Sequence, residues 1–441
     1  MGIKEKLKDF FDGKSVVILG FGREGKSTLK LLKELDCCTC IAIADMNEID
    51  PAEAEGCTLH CGSDYLSAIG DYDIIMKAPG IGLKNYVSDE IKAKITCQTD
   101  LFLRFCDTPI IGVTGTKGKS TVSSLIYHFV TVCEKESMLI GNIGVPPLER
   151  ADEFADMDVI VCELSCHQLE YVKASPNIAI LLNIYPEHLD HYVDFEAYTA
   201  AKSNIFRYQK EGDTLIINDT LNDTLMADTP AKVVEAGVGI GHIGVWGGGV
   251  YMFDTYYSGD KIKTKLRGEH NLYNISIALY AAQLVGCDTD FCVLSLMMFK
   301  PLEHRLEYVC KLGGAEYIND SISTAPETAV AALKAYPDTD TLIIGGMDRG
   351  ISYKPLGDYL NADTSVRNLI ILPDSGIRAA KEVTNPQILK MFAKDMEEAV
   401  ALAKEHTKVR CILSPAAASY GFYKNFEERG RHFKSLLGHG E

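Results

Sequence analysis

The sequence has no apolar run longer than a strand, so nothing in it approaches the ~20 residues that a helix needs to span a bilayer. It shows no signal peptide; the opening MGIKEKLKDFFDGK is polar and reads as a short helix leading into a strand. Basic residues are scarce: 44 Lys and Arg face 61 Asp and Glu, a formal net charge of -17. Such a surface repels phosphate backbones and argues against nucleic acid as a partner, whereas small anionic substrates require local basic pockets. The 14 cysteines form no repeated C-x-x-C pairs, the nearest cluster being Cys37, Cys38 and Cys40. A disulfide scaffold does not suit a chain of 441 residues, and structural zinc lacks its paired spacing. Reduced, buried thiols in a cytoplasmic protein are expected. Tandem repeats and low-complexity tracts are also missing, which excludes solenoids and arrays.

What remains is an ordinary folded composition, 46% hydrophobic and 24% charged. The length suggests about three domains at ~150 residues each. A first strand is expected at Ser15–Leu19, a helix to about Leu35, and further strands at Ile41–Ala44 and Ile74–Met76. Thr108-Pro109 breaks the pattern. A new unit opens with the apolar run Ile110–Val113 and continues with strand candidates at Val159–Cys162, Ile178–Leu182 and Thr214–Ile217. Residues 238–267 are glycine-rich and alternating, as in GVYMFDTYYSGDKIKTKL, and predict short antiparallel strands at the edge of that unit. Helical periodicity follows over Asn271–Leu284. A third unit from about 301 alternates again: strands at Glu316–Ile318, Thr341–Ile344, Leu369–Leu372 and Cys411–Leu413, with a helix from Ala325. Strand–helix alternation of this kind predicts parallel sheets and an α/β class.

Three motifs carry chemistry. Thr114-Gly115-Thr116-Lys117-Gly118-Lys119-Ser120-Thr121 follows an apolar strand and precedes a helix expected near Thr121. Glycines let backbone N–H groups turn toward phosphates, the helix N-terminus adds its dipole, Lys119 reaches the β- and γ-phosphates, and the Ser120 hydroxyl suits Mg2+. The loop is a variant, with Val113 where the general pattern has its first glycine. The second motif, Gly20-Phe21-Gly22-Arg23-Glu24-Gly25, also links strand to helix, and Asp45 lies 20 residues past Gly25. It fits a nucleotide diphosphate with Asp45 on a ribose, and equally a tight turn whose glycines serve packing. The third set is acidic and histidine-rich: Glu163 at one strand end, and Asn183 to His191 after another. Strand ends converge on one edge of a parallel sheet, which places Glu163 and His188 near the phosphate loop as Mg2+ ligands. A single Glu or His elsewhere would read as a solvated side chain.

The runs TGTKGKST, ELSCHQLE, NIYPEHLDHY, AYTAAKSNIF and GEHNLYNISIAL resemble, in this order, signature stretches of the Mur ligase family. So do PLEHRLE, INDS, GGMDRG and SPAAASYGFYKNFEERG, and the matches run from near residue 15 to near 431. The closing stretch and the GFGREG turn are most similar to the members that add glutamate. The resemblance implies three domains: a Rossmann-like domain for the UDP moiety (1–107), a P-loop ATPase-type domain (108–300) and a Rossmann-like domain for the amino acid (301–441). It implies ATP-dependent, ADP-forming ligation of glutamate to UDP-N-acetylmuramoyl-L-alanine through an acyl phosphate, with closure of the third domain keeping water out. The implied setting is cytoplasmic peptidoglycan precursor synthesis by a monomer with no membrane insertion.

The resemblance also implies roles. Gly115, Thr116, Lys117, Gly118, Lys119, Ser120, Thr121, Asn271, Arg305 and Asp320 would contact ATP. Ser120, Glu163, His188 and a carbamylated Lys202 would hold two Mg2+, since a bare lysine is a cation and the carbamate an oxygen donor. Gly22, Arg23, Glu24, Asp45, Gly80, Asn142, Ser165 and Gln168 would line the UDP-sugar site. Thr324, Arg349, Ser419 and Phe426 would meet the amino acid. Thr324-Ala325-Pro326-Glu327 also reads as a helix cap, with Thr324 as N-cap and Glu327 at the third helical position. The best-known D-glutamate-adding members carry a lysine in place of Ile322 and commonly one near Arg349. The resemblance implies D-glutamate, and this altered pocket leaves L-glutamate as an alternative, beside another Mur-type substrate or a folate-type ligase. An NAD-linked reading of the first glycine turn also stays open.

Overall fold

The structure, a computed structural model, describes residues 2–84, 88–142, 145–188, 191–225, 229–362 and 364–438. Leu189 and Asp190 of the NIYPEHLDHY run lie outside the described residues. The chain divides into two compact units, Met1–Thr264 with Glu269–Phe299, and Lys265–Gly268 with Lys300–Glu441.

The first unit holds two sheets. The first comprises β1 (Ser15–Leu19), β2 (Cys40–Asp45), β3 (Thr58–Cys61), β4 (Ile74–Lys77) and β5 (Ile95–Thr96) in the parallel order β3-β2-β1-β4-β5. Val16 to Leu19 are fully buried because both faces of the sheet are covered, which is why the strand reads as a continuous apolar run. Strand order reverses between β1 and β4, and the turns that follow these two strands meet at that switch point. Gly20 lies there at φ +92°, and a Cβ on it would sit 2.8 Å from the Ile81 side chain.

The second sheet comprises β6 (Ile110–Thr114), β7 (Ser137–Gly141), β8 (Val159–Glu163), β9 (Ile178–Leu181), β10 (Thr214–Asn218), β11 (Lys232–Val238), β12 (Ile243–Trp246), β13 (Gly249–Met252) and β14 (Thr255–Tyr257). Their order is β14-β13-β12-β11-β10-β9-β6-β8-β7, parallel except where β13 and β14 fold back. The antiparallel edge expected from residues 238–267 is present, with β12 itself parallel to β11. Because β9, β6 and β8 are neighbours, the loops after all three open on one edge. The helix Lys119–Val132 begins two residues before the expected Thr121, with Gly118 at φ +88° as its N-cap.

The second unit holds β15 (Glu307–Leu312), β16 (Ala315–Asn319), β17 (Thr341–Gly346), β18 (Asn368–Asp374), β19 (Leu389–Phe392) and β20 (Arg410–Leu413) in the order β15-β16-β20-β17-β18-β19. Only β15 runs antiparallel to its neighbour. Asp340, just before β17, accepts the backbone N–H groups of Lys408 at 2.8 Å and Arg410 at 3.0 Å and so pins the start of β17 to β20. One local expectation is corrected here. The helix Pro326–Ala335 has Ala325, not Thr324, as its N-cap, and Thr328, not Glu327, at its third position. Pro326, suited by its fixed φ to the first helical position, stands there with Ala325 before it. The Thr328 hydroxyl then accepts the Ala325 N–H at 3.3 Å, half of a capping box.

In the first glycine turn, a Cβ on Gly25 would sit 2.1 Å from the Gly20 carbonyl oxygen, whereas one on Gly22 meets nothing within 4 Å. Gly25→Ala should therefore cost roughly 1–3 kcal/mol or more, by overpacking helix against strand. Gly22→Ala should be nearly silent. Thermal unfolding of both variants checks this, and equal midpoints would sink the packing account.

Candidate active site

The phosphate loop is held from β9 and from the helix Phe195–Arg207. The Thr116 N–H donates to the Asn183 carbonyl at 2.9 Å, the Lys117 N–H donates to Asn183 Oδ1 at 2.8 Å, and Thr116 Oγ1 lies 2.9 Å from the Tyr198 hydroxyl. Lys119 Nζ donates to the carbonyls of Gly115 at 2.9 Å and Thr116 at 3.1 Å. Lys202 Nζ donates to the same Gly115 carbonyl at 2.9 Å. Two largely buried ammonium groups thus share one acceptor. Burial holds the Lys119 pKa below the ordinary lysine value, against the pull of Glu163 and Glu187. Burial first, then Lys119, brings Lys202 down to about 8.

Glu163, at the end of β8, is 1% exposed. Asn142 Nδ2 donates to its Oε1 at 2.8 Å, while its buried Oε2 has no hydrogen-bond partner among the described residues. A buried carboxylate oxygen left without a donor is costly unless a cation meets it. The donor set therefore fits a hard cation. Among the described residues no three His, Cys, Asp or Glu side chains converge as a cage. Mg2+ keeps several waters and does not require one. His188 lies at φ +58°, its ring 6.2 Å from that of Tyr198, beside the loop. Asn271 belongs to the helix Glu269–Leu284; Asn274 Nδ2 donates to its Oδ1 at 3.2 Å, and Asn274 Oδ1 lies 3.1 Å from where a Gly118 Cβ would stand.

The expected UDP-sugar residues lie at or just after the ends of five strands of this unit: Gly22, Arg23 and Glu24 after β1, Asp45 at the end of β2, Gly80 after β4, Asn142 after β7, and Ser165 and Gln168 after β8. Asp45 Oδ2 accepts the Phe21 N–H at 2.7 Å and its Oδ1 accepts the Asn47 N–H at 2.9 Å, so Asp45 shapes the turn of Gly22, Arg23 and Glu24. Ser165 caps the helix Cys166–Leu169: the Gln168 N–H donates to Ser165 Oγ at 3.3 Å, and the Ser165 N–H donates back to Gln168 Oε1 at 3.0 Å. Gly80 lies in the turn after β4. Sequence reasoning missed Lys77. It ends β4, is 3% exposed, and pairs at 3.3 Å with Glu170, which also accepts His191 Nε2 at 3.1 Å. The His167 ring stands edge-on between those of His188 and His191, at 4.7 and 4.4 Å. Burial and its two imidazole neighbours hold the His167 pKa down to about 4, so it is neutral. A lysine buried by partners from another segment leaves no mark in its own stretch of sequence.

In the second unit, Arg305 and Asp320 are close enough to interact electrostatically, and burial pushes the Asp320 carboxyl up to about 7 against its bonds from Ser414 and Leu306. Ser321 and Thr324 follow β16, Arg349 follows β17 and Ser419 follows β20, so all lie at one end of the sheet. Met347 bridges to Ala418, which ties the Arg349 turn to the Ser419 loop. Asp348 is taken by Arg378, and no carboxylate of the described residues pairs with the exposed Arg349. A cavity of about 230 Å3 opens here, lined by Gly345, Gly346, Leu372, Ser419 and Arg429 among others. Arg429 is 1% exposed and was also missed. It donates to Ser321 Oγ at 3.0 Å, to the Ser321 carbonyl at 2.7 Å and to the Ala417 carbonyl at 3.0 Å, and its buried Nη1 has no partner among the described residues. The Ser321 hydroxyl donates to the Phe426 carbonyl at 2.8 Å, which brings Phe426 to the same loops.

Residues 113–282 match the family described as Mur ligase middle domain. Over nearly the whole chain the sequence is 30% identical to a UDP-N-acetylmuramoylalanine--D-glutamate ligase of Clostridium tetani, covering 98% of both proteins. The chain belongs to the Mur ligase family. A second Mur ligase relative of the same name, from Symbiobacterium thermophilum, is 35% identical over 87% of each chain. The MurC ligase of Thermotoga maritima, UDP-N-acetylmuramate-alanine ligase, shares the Mur ligase fold, with a TM-score of 0.61 at 17% identity over 96% of this chain and 99% of that one.

Glu24 offers a direct test of the site's electrostatics. Burial, opposed by Lys77, raises its carboxyl from 4.5 to about 7. A carboxyl raised on folding makes the folded state bind the extra proton, so its contribution to stability falls as pH rises from 4.5 to about 7. Glu24→Gln should match the parent protein near pH 4.5 and exceed it above about 7. Thermal midpoints across that range measure the difference, and parallel profiles would refute it.

Proposed function

We propose that this chain joins D-glutamate to the terminal carboxylate of UDP-N-acetylmuramoyl-L-alanine and converts ATP to ADP and phosphate. The pairing of Lys119 with Lys202, which reaches the phosphate loop from the helix Phe195–Arg207, beside the half-satisfied carboxylate of Glu163 carries this reading, and the near full-length likeness to ligases of that name supports it. The setting is cytoplasmic peptidoglycan precursor synthesis by a monomer. Among the described residues no helix is long and apolar enough to cross a membrane. The proposed division is 1–107 for the UDP-sugar, 108–300 for ATP and 301–441 for the amino acid.

A carboxylate does not condense with an amine in water without activation. The substrate carboxylate oxygen attacks the γ-phosphorus and the bond to the ADP oxygen breaks. The glutamate amine then attacks the acyl carbon and loses a proton, and phosphate leaves with the C–O bond. Lys119 sits where it offsets charge on the moving phosphoryl, with loop N–H groups and the helix dipole beside it. Asn271, Arg305 and Asp320 are assigned to the nucleotide. Ser120, Glu163, His188 and a carbamylated Lys202 would hold Mg2+, which supplies charge neutralisation at the phosphates. Glu163 is kept aimed by Asn142, and neutral His167 packs against His188. The UDP-sugar falls to Gly22, Arg23, Glu24, Asp45, Gly80, Asn142, Ser165 and Gln168.

Lys202 is suited to carbamylation because its pKa near 8 leaves a free amine to attack CO2, forming the N–C bond and releasing a proton. Dissolved 13CO2 should give a carbamate NMR signal that grows as pH rises through about 8 and is missing in Lys202→Ala. That variant should be nearly inactive and partly restored by short carboxylates. Full activity in a variant without the signal would remove the assignment.

Glutamate is assigned to Thr324, Arg349, Ser419 and Phe426. Ile322 supplies no cation, and Arg349 is free to grip a carboxylate with two parallel hydrogen bonds. Such a contact contributes roughly 1.5–3 kcal/mol, or about ten- to a hundredfold in affinity. Arg349→Ala should raise the KM for glutamate by that factor and leave the KM for ATP little changed. Phosphate release with UDP-N-acetylmuramoyl-L-alanine and a panel of amino acids tests the whole reading. Turnover with D-glutamate is expected, turnover with L-glutamate only would reverse the stereochemistry, and turnover with neither would remove the substrate.

A further inference from the structure

Arg429 is a buried cation without an anion. It is 1% exposed, yet among the described residues it forms no ion pair. Nε and Nη2 donate to the Ser321 hydroxyl at 3.0 Å and to the Ser321 and Ala417 carbonyls at 2.7 and 3.0 Å, all of them neutral acceptors. Nη1 has no partner among the described residues. Asp320 is the acid that acts on this guanidinium from across the loops. Its own oxygens already accept the Ser414 hydroxyl at 2.7 Å and the Leu306 N–H at 3.2 Å. A buried charge with an unmet donor is costly, and folded interiors pair such groups.

Nη1 stands at the wall of the cavity of about 230 Å3 in the second unit. It lies 3.0 Å from where a Gly346 Cβ would be, and Gly346 lines that cavity. The other charged groups around the cavity are balanced. Lys394 and Asp395 offset one another at 3.9 Å, and Asp395 Oδ1 also accepts the Glu398 N–H at 2.9 Å. His432 is engaged by the Tyr423 hydroxyl at 2.9 Å and by Glu397 at 3.3 Å. Arg429 is therefore the charge left over. Leu372, Pro373, Met396 and Phe422 make the rest of the lining apolar. An apolar cavity of ~150 Å3 admits benzene, so this one has room for a six-membered ring and a carboxylate.

We propose that this cavity is a binding site for a small carboxylate with an aromatic or branched apolar body. The carboxylate meets Arg429 Nη1, and the body lies against Leu372, Met396 and Phe422. The site is separate from the one assigned to glutamate, whose second charge has no counterpart on an apolar wall. An occupant neutralises the guanidinium that ties the Ser321 and Ala417 loops to the helix Phe426–Leu436. It also touches the loop of Ser419, which lines the cavity.

Benzoate is the probe. Titrated into the full-length chain, it should raise the thermal midpoint saturably, by about 5–10 °C at roughly a hundredfold Kd. Benzamide, of the same shape but uncharged, and acetate, which lacks the ring, should leave the midpoint where it is. Arg429→Gln should lose the response. That variant also loses loop contacts, so Met396→Trp is its companion: it fills the cavity, keeps Arg429, and should abolish the benzoate shift while preserving the parent's turnover. On the unaltered protein, photolysed 4-azidobenzoate should label the peptides that hold Met396 or Tyr423, and excess benzoate should prevent the labelling. An equal shift with benzamide, labelling confined to other peptides, or an undiminished benzoate shift in Met396→Trp would overturn the proposal. Displacement of bound benzoate by glutamate would do the same, because the cation would then serve the amino-acid substrate.

Discussion

The arrangement on which the active site depends is the convergence of two buried lysine ammonium groups on the Gly115 carbonyl. Each lies 2.9 Å from that oxygen, so the two charges are at most about 6 Å apart. At that distance and an effective dielectric near 20, they repel by about 3 kcal/mol. The loop tolerates this because Glu163 and Glu187 face it and because an anionic ligand is what the site is built to receive. Converting Lys202 to a carbamate would reverse the sign of one partner and turn repulsion into attraction. Much of the surrounding architecture can be read as support for that pair. Asn183 and Tyr198 fix the loop that carries the carbonyl, and Asn142 fixes the carboxylate that balances it.

The second unit organises its loops differently, around one guanidinium. Arg429 reaches from the helix Phe426–Leu436 to the Ser321 and Ala417 carbonyls and the Ser321 hydroxyl. Burial brings its pKa down to about 10, still far above neutrality, so it remains a cation among backbone acceptors. One side chain thereby ties its own helix to two loops, one of them 108 residues away in the sequence. Gly346 is required at this junction, because a Cβ there would sit 2.5 Å from the Ala418 carbonyl and 3.0 Å from Arg429 Nη1.

The parts of the fold legible in the sequence were those whose signal is local. β1, β6, β8, β9, β17 and β20 read as apolar runs because both faces of each are covered. β3, β5, β7, β15 and β19 were not recognised, and every one of them is a sheet edge. Edge strands such as Leu389–Phe392 alternate weakly and expose most of their side chains, so no run distinguishes them from loops. β11 was missed for another reason, since its VVEAGV run mixes an acid and a glycine into an inner strand. In the site, the phosphate loop and Glu163 were legible because strand, glycines and helix are contiguous. Lys77, Glu170 and Arg429 were not, because what makes them unusual is burial by partners far away in the chain. The cap of Pro326–Ala335 shows the same limit at short range: the pattern allowed Thr324, and Pro326 moved the boundary by one residue.

The antiparallel extension of the central sheet has a spectroscopic consequence. The chain's single tryptophan, Trp246, lies at the end of β12, 66% exposed, at the hairpin where it pairs with Gly249. Indole emission therefore reports on one solvent-facing corner of the first unit. It starts red-shifted in the folded protein and changes little when the buried cores open. A signal that follows the second unit has to come from elsewhere, for instance from tyrosine or from backbone circular dichroism.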